Sequence, residues 1–119
     1  MGIKVKENGI SAFIFEFNTL AEAIHEEAIK KGWWETERNQ AEQICLMHSE
    51  LSEGLENLRA GEPPSDKIPE FKGIEEEFAD VIIRIMDTAY AYNWDVAGAI
   101  EAKFAYNIGR PYRHGNKKF

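Results

Sequence analysis

The chain has 119 residues, 44% of them hydrophobic, with a formal net charge of −7 and a single cysteine. That apolar content suits one packed domain and is too high for a disordered chain, while a lone Cys45 excludes an internal disulfide. No apolar run nears the roughly 20 residues of a membrane span, the polar start at 1–9 is no secretory signal, and an acidic surface disfavours a nucleic-acid polymer as partner, so a cytoplasmic protein is expected.

Residues 1–17 read as a lead-in, its apolar, aromatic run at 10–17 leading into a helix. Thr19 followed by Glu22 fits a T-x-x-E capping box and predicts a helix over 20–30, ended by Gly32. Ile44, Met47, Leu51, Leu55 and Leu58 recur at helical spacing and predict a second helix over 39–59. Gly61, Pro63 and Pro64 break it, and 61–73 reads as a loop. A third helix is expected over 74–92, with Phe78, Val81, Ile82, Ile85 and Ala89 on its buried face. Asp95 is a suitable N-cap for a fourth helix over 96–107, followed by an irregular tail at 109–119. The elements describe an all-α, four- to five-helix bundle in a single domain over 1–119.

Two pairs of acids stand out. Glu50 and Glu53 are three residues apart on the second helix, and Glu77 and Asp80 repeat that spacing on the third, so each pair shares a face. Glu50 and Glu53 lie on a strip with Gln43, Leu46 and Asn57 that borders the apolar stripe; Glu77 and Asp80 border theirs. If the two helices pack antiparallel, all four carboxylates point into one cleft, where they repel unless cations neutralise them. Hard oxygen donors in that number suit Mg²⁺, with Mn²⁺ as a substitute. Each pair alone also fits an ordinary solvated helix face, and the run Glu75, Glu76, Glu77 suits a helix N-terminus; spacing leaves both readings open.

Lys103, Asn107 and Arg110 are spaced to share one face of the fourth helix, with Arg113, His114 and Lys117 close behind. A cationic patch beside a carboxylate–metal site is what a polyphosphate needs. A basic helix end followed by an inert tail is the plainer alternative.

With these residues in view, the chain resembles the MazG-like all-α NTP pyrophosphohydrolases, which include the dimeric dUTPases and the dCTP pyrophosphatases. Their E-x-x-E, loop, E-x-x-D signature is matched by Glu50-Leu51-Ser52-Glu53 and Glu77-Phe78-Ala79-Asp80, and their later Lys, Asn and Arg group by Lys103, Asn107 and Arg110. The likeness spans about 20–117. It implies Mg²⁺ held by the four acids, a nucleoside triphosphate substrate, and cleavage of the α–β bond to a monophosphate and pyrophosphate, in the service of nucleotide-pool house-cleaning. It also implies phosphate binding by Lys103, Asn107, Arg110, Arg113 and Lys117, and base binding by His25 and Trp34, which fall where the dCTP-hydrolysing branch has a His and a Trp. Arg84 stands where that branch has a Tyr. Glu53 is the preferred acceptor of the water's proton. The family also implies a homodimer or homotetramer, in keeping with a second helix too long for four helices to cover.

Two rivals remain. A di-iron bundle needs Glu-x-x-His on two helices, and only Glu22 with His25 supplies one. The alternative outside enzymology is a non-catalytic acidic helical bundle acting as a protein-interaction module.

Overall fold

The computed structural model describes residues 11–119. Among them the architecture is all-α: α1 Ala12–Lys30, α2 Gln40–Arg59, α3 Gly73–Tyr92, α4 Val96–Ile108 and the short α5 Arg113–Asn116. An isolated antiparallel bridge joins Pro64 and Lys72 in the α2–α3 loop. No helix in this part of the chain is long and apolar enough to cross a membrane. The first ten residues of the expected lead-in lie outside the described residues.

The first helix starts earlier than the capping pattern indicates. Ser11 is its N-cap, accepting from Ile14 N–H at 3.0 Å. Thr19 sits inside the helix, where its hydroxyl donates to the Phe15 carbonyl at 2.7 Å. A threonine can satisfy its hydroxyl this way within a helix, so T-x-x-E alone does not mark a start. The other boundaries follow their chemistry. Asn39 Oδ1 caps α2 through Ala41 and Glu42 N–H. Lys72 N–H donates to Glu75 at the start of α3, and left-handed Asn93 ends that helix. Asp95 caps α4 through Gly98. In α5 all four residues have positive φ, with values of 50°, 51°, 93° and 66° from Arg113 to Asn116, so this piece of the tail is a left-handed turn.

The α2–α3 pair forms the centre, with α1 against α3 and α4 against α1. Gly54 lies against Glu77 and Phe78, Asn57 against Gly73, and Glu50 against Arg84. Numbers rise along one helix as they fall along the other, so the two helices are antiparallel. Gly73 lets the Asn57 side chain lie close: a Cβ there would stand 2.0 Å from Asn57 Oδ1, so a larger residue would push that side chain aside.

The core is small. Ala21, Met86, Ala89 and Ala97 are the buried apolar residues among those described. The predicted α2 stripe is not interior: Ile44, Leu51, Leu55 and Leu58 are 46–49% exposed. The α2 surface that faces α3 is instead the neighbouring strip carrying Gln43, Glu50, Gly54 and Asn57. On α3, Ala89 is buried as expected, Val81 and Ile85 are half-buried, and Phe78 and Ile82 are about half exposed.

Candidate functional site

The antiparallel register brings the two acid pairs together. Glu50, Glu53 and Glu77 offer carboxylate oxygens within 4.8 Å of one another, and Glu77 and Asp80 do the same with Glu76. Glu76, from the first turn of α3, was not among the expected ligands; its own partners are the Ser65 hydroxyl and Lys67 Nζ at 3.8 Å. Through them the α2–α3 loop is tied to the acid cluster. Ser65 is buried, and its hydroxyl oxygen also accepts from Lys67 and Ile68 N–H, which fixes the loop's turn.

Crowding of like charges sets the protonation. Burial, together with hydrogen bonds to Glu50 and Glu53, pushes Glu77 up to about 8. Asp80 is also raised, by burial and by the charges of Glu50 and Glu76, against the pull of Lys67 and Arg84. Burial would raise Glu50 too, but the hydrogen bond to Glu77 and the Arg84 guanidinium outweigh it and hold its carboxyl below the usual range. The cluster therefore carries one proton where separate carboxylates at neutral pH would carry none.

A divalent hard cation fits this donor set. All the donors are carboxylate oxygens, and Glu77 Oε2 is buried without a hydrogen-bond partner, a costly arrangement that a cation would relieve.

Beside the acids opens a cavity of about 660 Å³, within the range of small-molecule sites. Glu50, Asp80 and Arg84 line one part of it; Trp33, Arg38 and Asp87 line another. Arg84 Nε and Nη2 hold Glu50 at 3.1 and 3.0 Å. The Arg38 guanidinium lies 5.1 Å from the Trp34 ring centre and 5.9 Å from that of Trp33. With the buried Gln43 amide oriented to match its neighbours, its oxygen accepts from Arg38 Nε and Nη2 at 2.8 and 2.9 Å. Tyr92 donates to the Arg38 carbonyl. Lys31 and Lys67 bring further positive charge to the cavity wall.

His25 and Trp34 adjoin this cavity through Asp87. His25 Nδ1 is 2.7 Å from Asp87 Oδ1, and Trp34 Nε1 donates to both Asp87 oxygens at 3.1 Å. The Trp34 ring packs edge-on against His25 and Tyr92. The neighbouring Trp33, 62% exposed, is the tryptophan on the cavity wall.

The C-terminal basic residues stand elsewhere in the single chain. The cavity lining comes from α1, α2, α3 and their connections, with none from α4 or the tail. Lys103 and Arg110 lie over the Tyr106 ring at 4.6 and 5.6 Å. Asn107, Arg113 and Lys117 are exposed.

Sequence reasoning missed Asp87 and Arg38, and named Gln43 only as a neighbour of the acids on the α2 strip. Asp87 had a signal: Glu77, Asp80, Arg84 and Asp87, the charged residues of α3 from Glu77 onward, recur at spacings of three, four and three, a polar stripe on one face. Comparison with family models, with curated proteins and with solved structures finds no match to this chain.

Proposed function

We propose that this chain is a magnesium-dependent nucleoside triphosphate pyrophosphohydrolase of the MazG-like kind. It cleaves the α–β bond of a nucleoside triphosphate, deoxy sugars included, to release the monophosphate and pyrophosphate. The observation that carries this reading is the convergence of Glu50, Glu53, Glu77 and Asp80, from two helices, beside a nucleotide-sized cavity bordered by Arg84, Lys67 and Arg38.

Glu50, Glu77 and Asp80 would hold magnesium, which when bound supplies charge neutralisation at phosphoryl oxygens and a more acidic water. Glu53, the most exposed of the four acids, takes the proton of the attacking water. The water oxygen bonds to phosphorus as the bridging α–β oxygen leaves with the bond's electrons. Arg84, Lys67 and Arg38 bind the triphosphate oxygens that the cation leaves free.

We assign the half-exposed faces of α2 and α3 to contact with further copies, in a homodimer or homotetramer. Ile44, Leu51, Leu55 and Leu58 form one continuous helical stripe. An apolar stripe of that kind on a chain with so small a core marks an interaction surface. A partner copy is also the source we assign for the Lys103, Asn107 and Arg110 face beside the acids.

Pyrophosphate release from a panel of NTPs and dNTPs, with and without Mg²⁺, tests the proposal. Turnover that needs the metal and is lost in Glu50→Gln and Asp80→Asn, with helical circular dichroism unchanged, is expected. No turnover of any nucleotide together with no metal binding would leave the acidic bundle as a non-catalytic interaction module.

A further inference from the structure

The polar stripe of α3 does not stop at the acids. Asp87 stands seven residues, two turns or about 10 Å, beyond Asp80 on the same face. That is a useful separation in a cavity whose acid end would take phosphates: a ligand anchored there extends its far end toward Asp87.

Asp87 is unusually well fixed for a carboxylate in a cavity wall. Its side chain and that of His25 are 13% and 12% exposed. His25 Nδ1 and Trp34 Nε1 hold it from two directions, one from α1 and one from the α1–α2 connection. His25 is itself set between the rings of Trp34 and Tyr90, with centroids 5.2 and 5.3 Å away. A carboxylate has about four acceptor positions, and the three contacts from His25 and Trp34 leave capacity for a further donor. Asp87 borders the cavity, so this remaining capacity is available to a ligand. Around it stand the exposed Trp33 ring, a flat surface for stacking, and Arg38, steadied by buried Gln43.

We infer that Asp87 is a specificity-determining residue that selects a base bearing an exocyclic amino group. An ionised carboxylate accepts hydrogen bonds and donates none. It rewards the N–H of cytosine or adenine and repels the carbonyl oxygen that uracil or hypoxanthine presents at the same position. His25 and Trp34 are then positioning residues that act through Asp87. This inference rests on the hydrolase reading and adds the substrate class to it.

The test compares kcat/KM for matched pairs differing only in that group, dCTP against dUTP and ATP against ITP, at fixed Mg²⁺. The expected preference for the amino member is about ten- to a hundredfold, the scale of one hydrogen bond to a charged acceptor. Asp87→Asn, whose amide nitrogen is a donor, should lose that preference or reverse it. Trp34→Phe, which removes one tether, should reduce the ratio. A purely structural role would lower both members of a pair together and leave the ratio unchanged. Binding of dCMP against dUMP to the wild-type protein, by calorimetry, reads the same preference without relying on a folded variant. Hydrolysis of both pair members at equal efficiency, or equal binding of the two monophosphates, would overturn the inference and leave the hydrolase reading intact. Absence of any hydrolysis would remove the hydrolase reading instead.

Discussion

Arg84 Nε and Nη2 both reach the same Glu50 oxygen, at 3.1 and 3.0 Å, so one carboxylate oxygen of the acid cluster is held by a guanidinium from the facing helix. Glu50 is also one of the ligands the proposed cation would use. On the proposed function the guanidinium and the cation would compete for Glu50, and Arg84 would turn to the phosphates of a bound triphosphate. Arg84→Ala should bind Mg²⁺ about three- to tenfold more tightly in the absence of nucleotide, the scale of a partly exposed ion pair, and should show a raised KM for triphosphate. Arg84→Lys keeps the charge without the two-donor fork and should fall between. Calorimetric Mg²⁺ titration of the three proteins decides it; equal or weaker metal binding by the alanine variant would mean the pair does not compete.

Glu77 makes the fold's stability depend on pH in a particular direction. Its folded pKa, about 8, lies above its ordinary value of 4.5, so between those limits the folded state holds a proton that the unfolded state has released. Stability in EDTA should therefore fall as pH rises from about 4.5 to about 8, and the raised Asp80 acts in the same sense. Glu50, whose pKa is lowered, acts oppositely: its contribution is present above the ordinary carboxylate range and is lost as pH falls through its folded pKa. Urea midpoints across this range should decline for the wild type and flatten for Glu77→Gln. The variant should gain about 1–2 kcal/mol at pH 8, a figure discounted for the site's access to water. Saturating Mg²⁺, which binds the ionised cluster, should flatten the wild-type curve as well. A wild-type midpoint that rises between pH 5 and 8 in EDTA would contradict the crowded-acid picture.

The parts of this molecule that sequence made legible are those decided within one helix. The spacing of Glu50, Glu53, Glu77 and Asp80 put each pair on one face, and the strip beside Glu50 did turn inward: Gln43 is buried, Leu46 lines the cavity and Asn57 lies against Gly73 of α3. Local chemistry also contained an unread signal in α1. Ile14, Phe17, Ala21, Ile24 and Ala28 recur at spacings of three and four, and all are buried or half-buried, which extends the helix back past Thr19. What could not be read was whatever depends on a second element. Apolar periodicity identifies a face of α2 without saying what covers it. The shared face of Lys103, Asn107 and Arg110 is real on α4, but α4 packs on α1, away from the acids of the same chain. Asp87 gains its meaning only from His25 and Trp34, more than fifty residues earlier.

The α2 stripe gives a test of assembly. Leu51 and Leu55 are 46% and 49% exposed in the single chain, so a charge at either position costs a monomer little. In a subunit interface the same charge is buried without a partner and costs much more. Leu51→Lys and Leu55→Glu should weaken self-association by about a hundredfold or more, while helical circular dichroism persists. Light scattering at micromolar concentration should show a dimer or tetramer for the wild type and smaller species for the variants. A monomeric wild type would refute the assignment of this face.

The position of the basic residues leads to a complementation experiment. Lys103 and Arg110 lie on α4 against the Tyr106 ring, while the cavity is walled by α1, α2 and α3. If these cations serve a triphosphate, the site they serve belongs to another copy of the chain. Glu50→Gln destroys the acid half of a site, and the double variant Lys103→Ala with Arg110→Ala destroys the basic half. Each should be inactive alone, with activity reduced at least a hundredfold. Co-expressed, they form mixed dimers in which one composite site has intact acids from one chain and intact cations from the other. Random pairing into two-fold dimers then restores about a quarter of wild-type activity. Recovery of that size requires sites shared between subunits, because two defects within one chain's own site cannot repair each other. No recovery, from variants that still assemble by light scattering, would confine the phosphate ligands to the cavity's own Arg84, Lys67 and Arg38, and would make the α4 cations an ordinary solvated helix end.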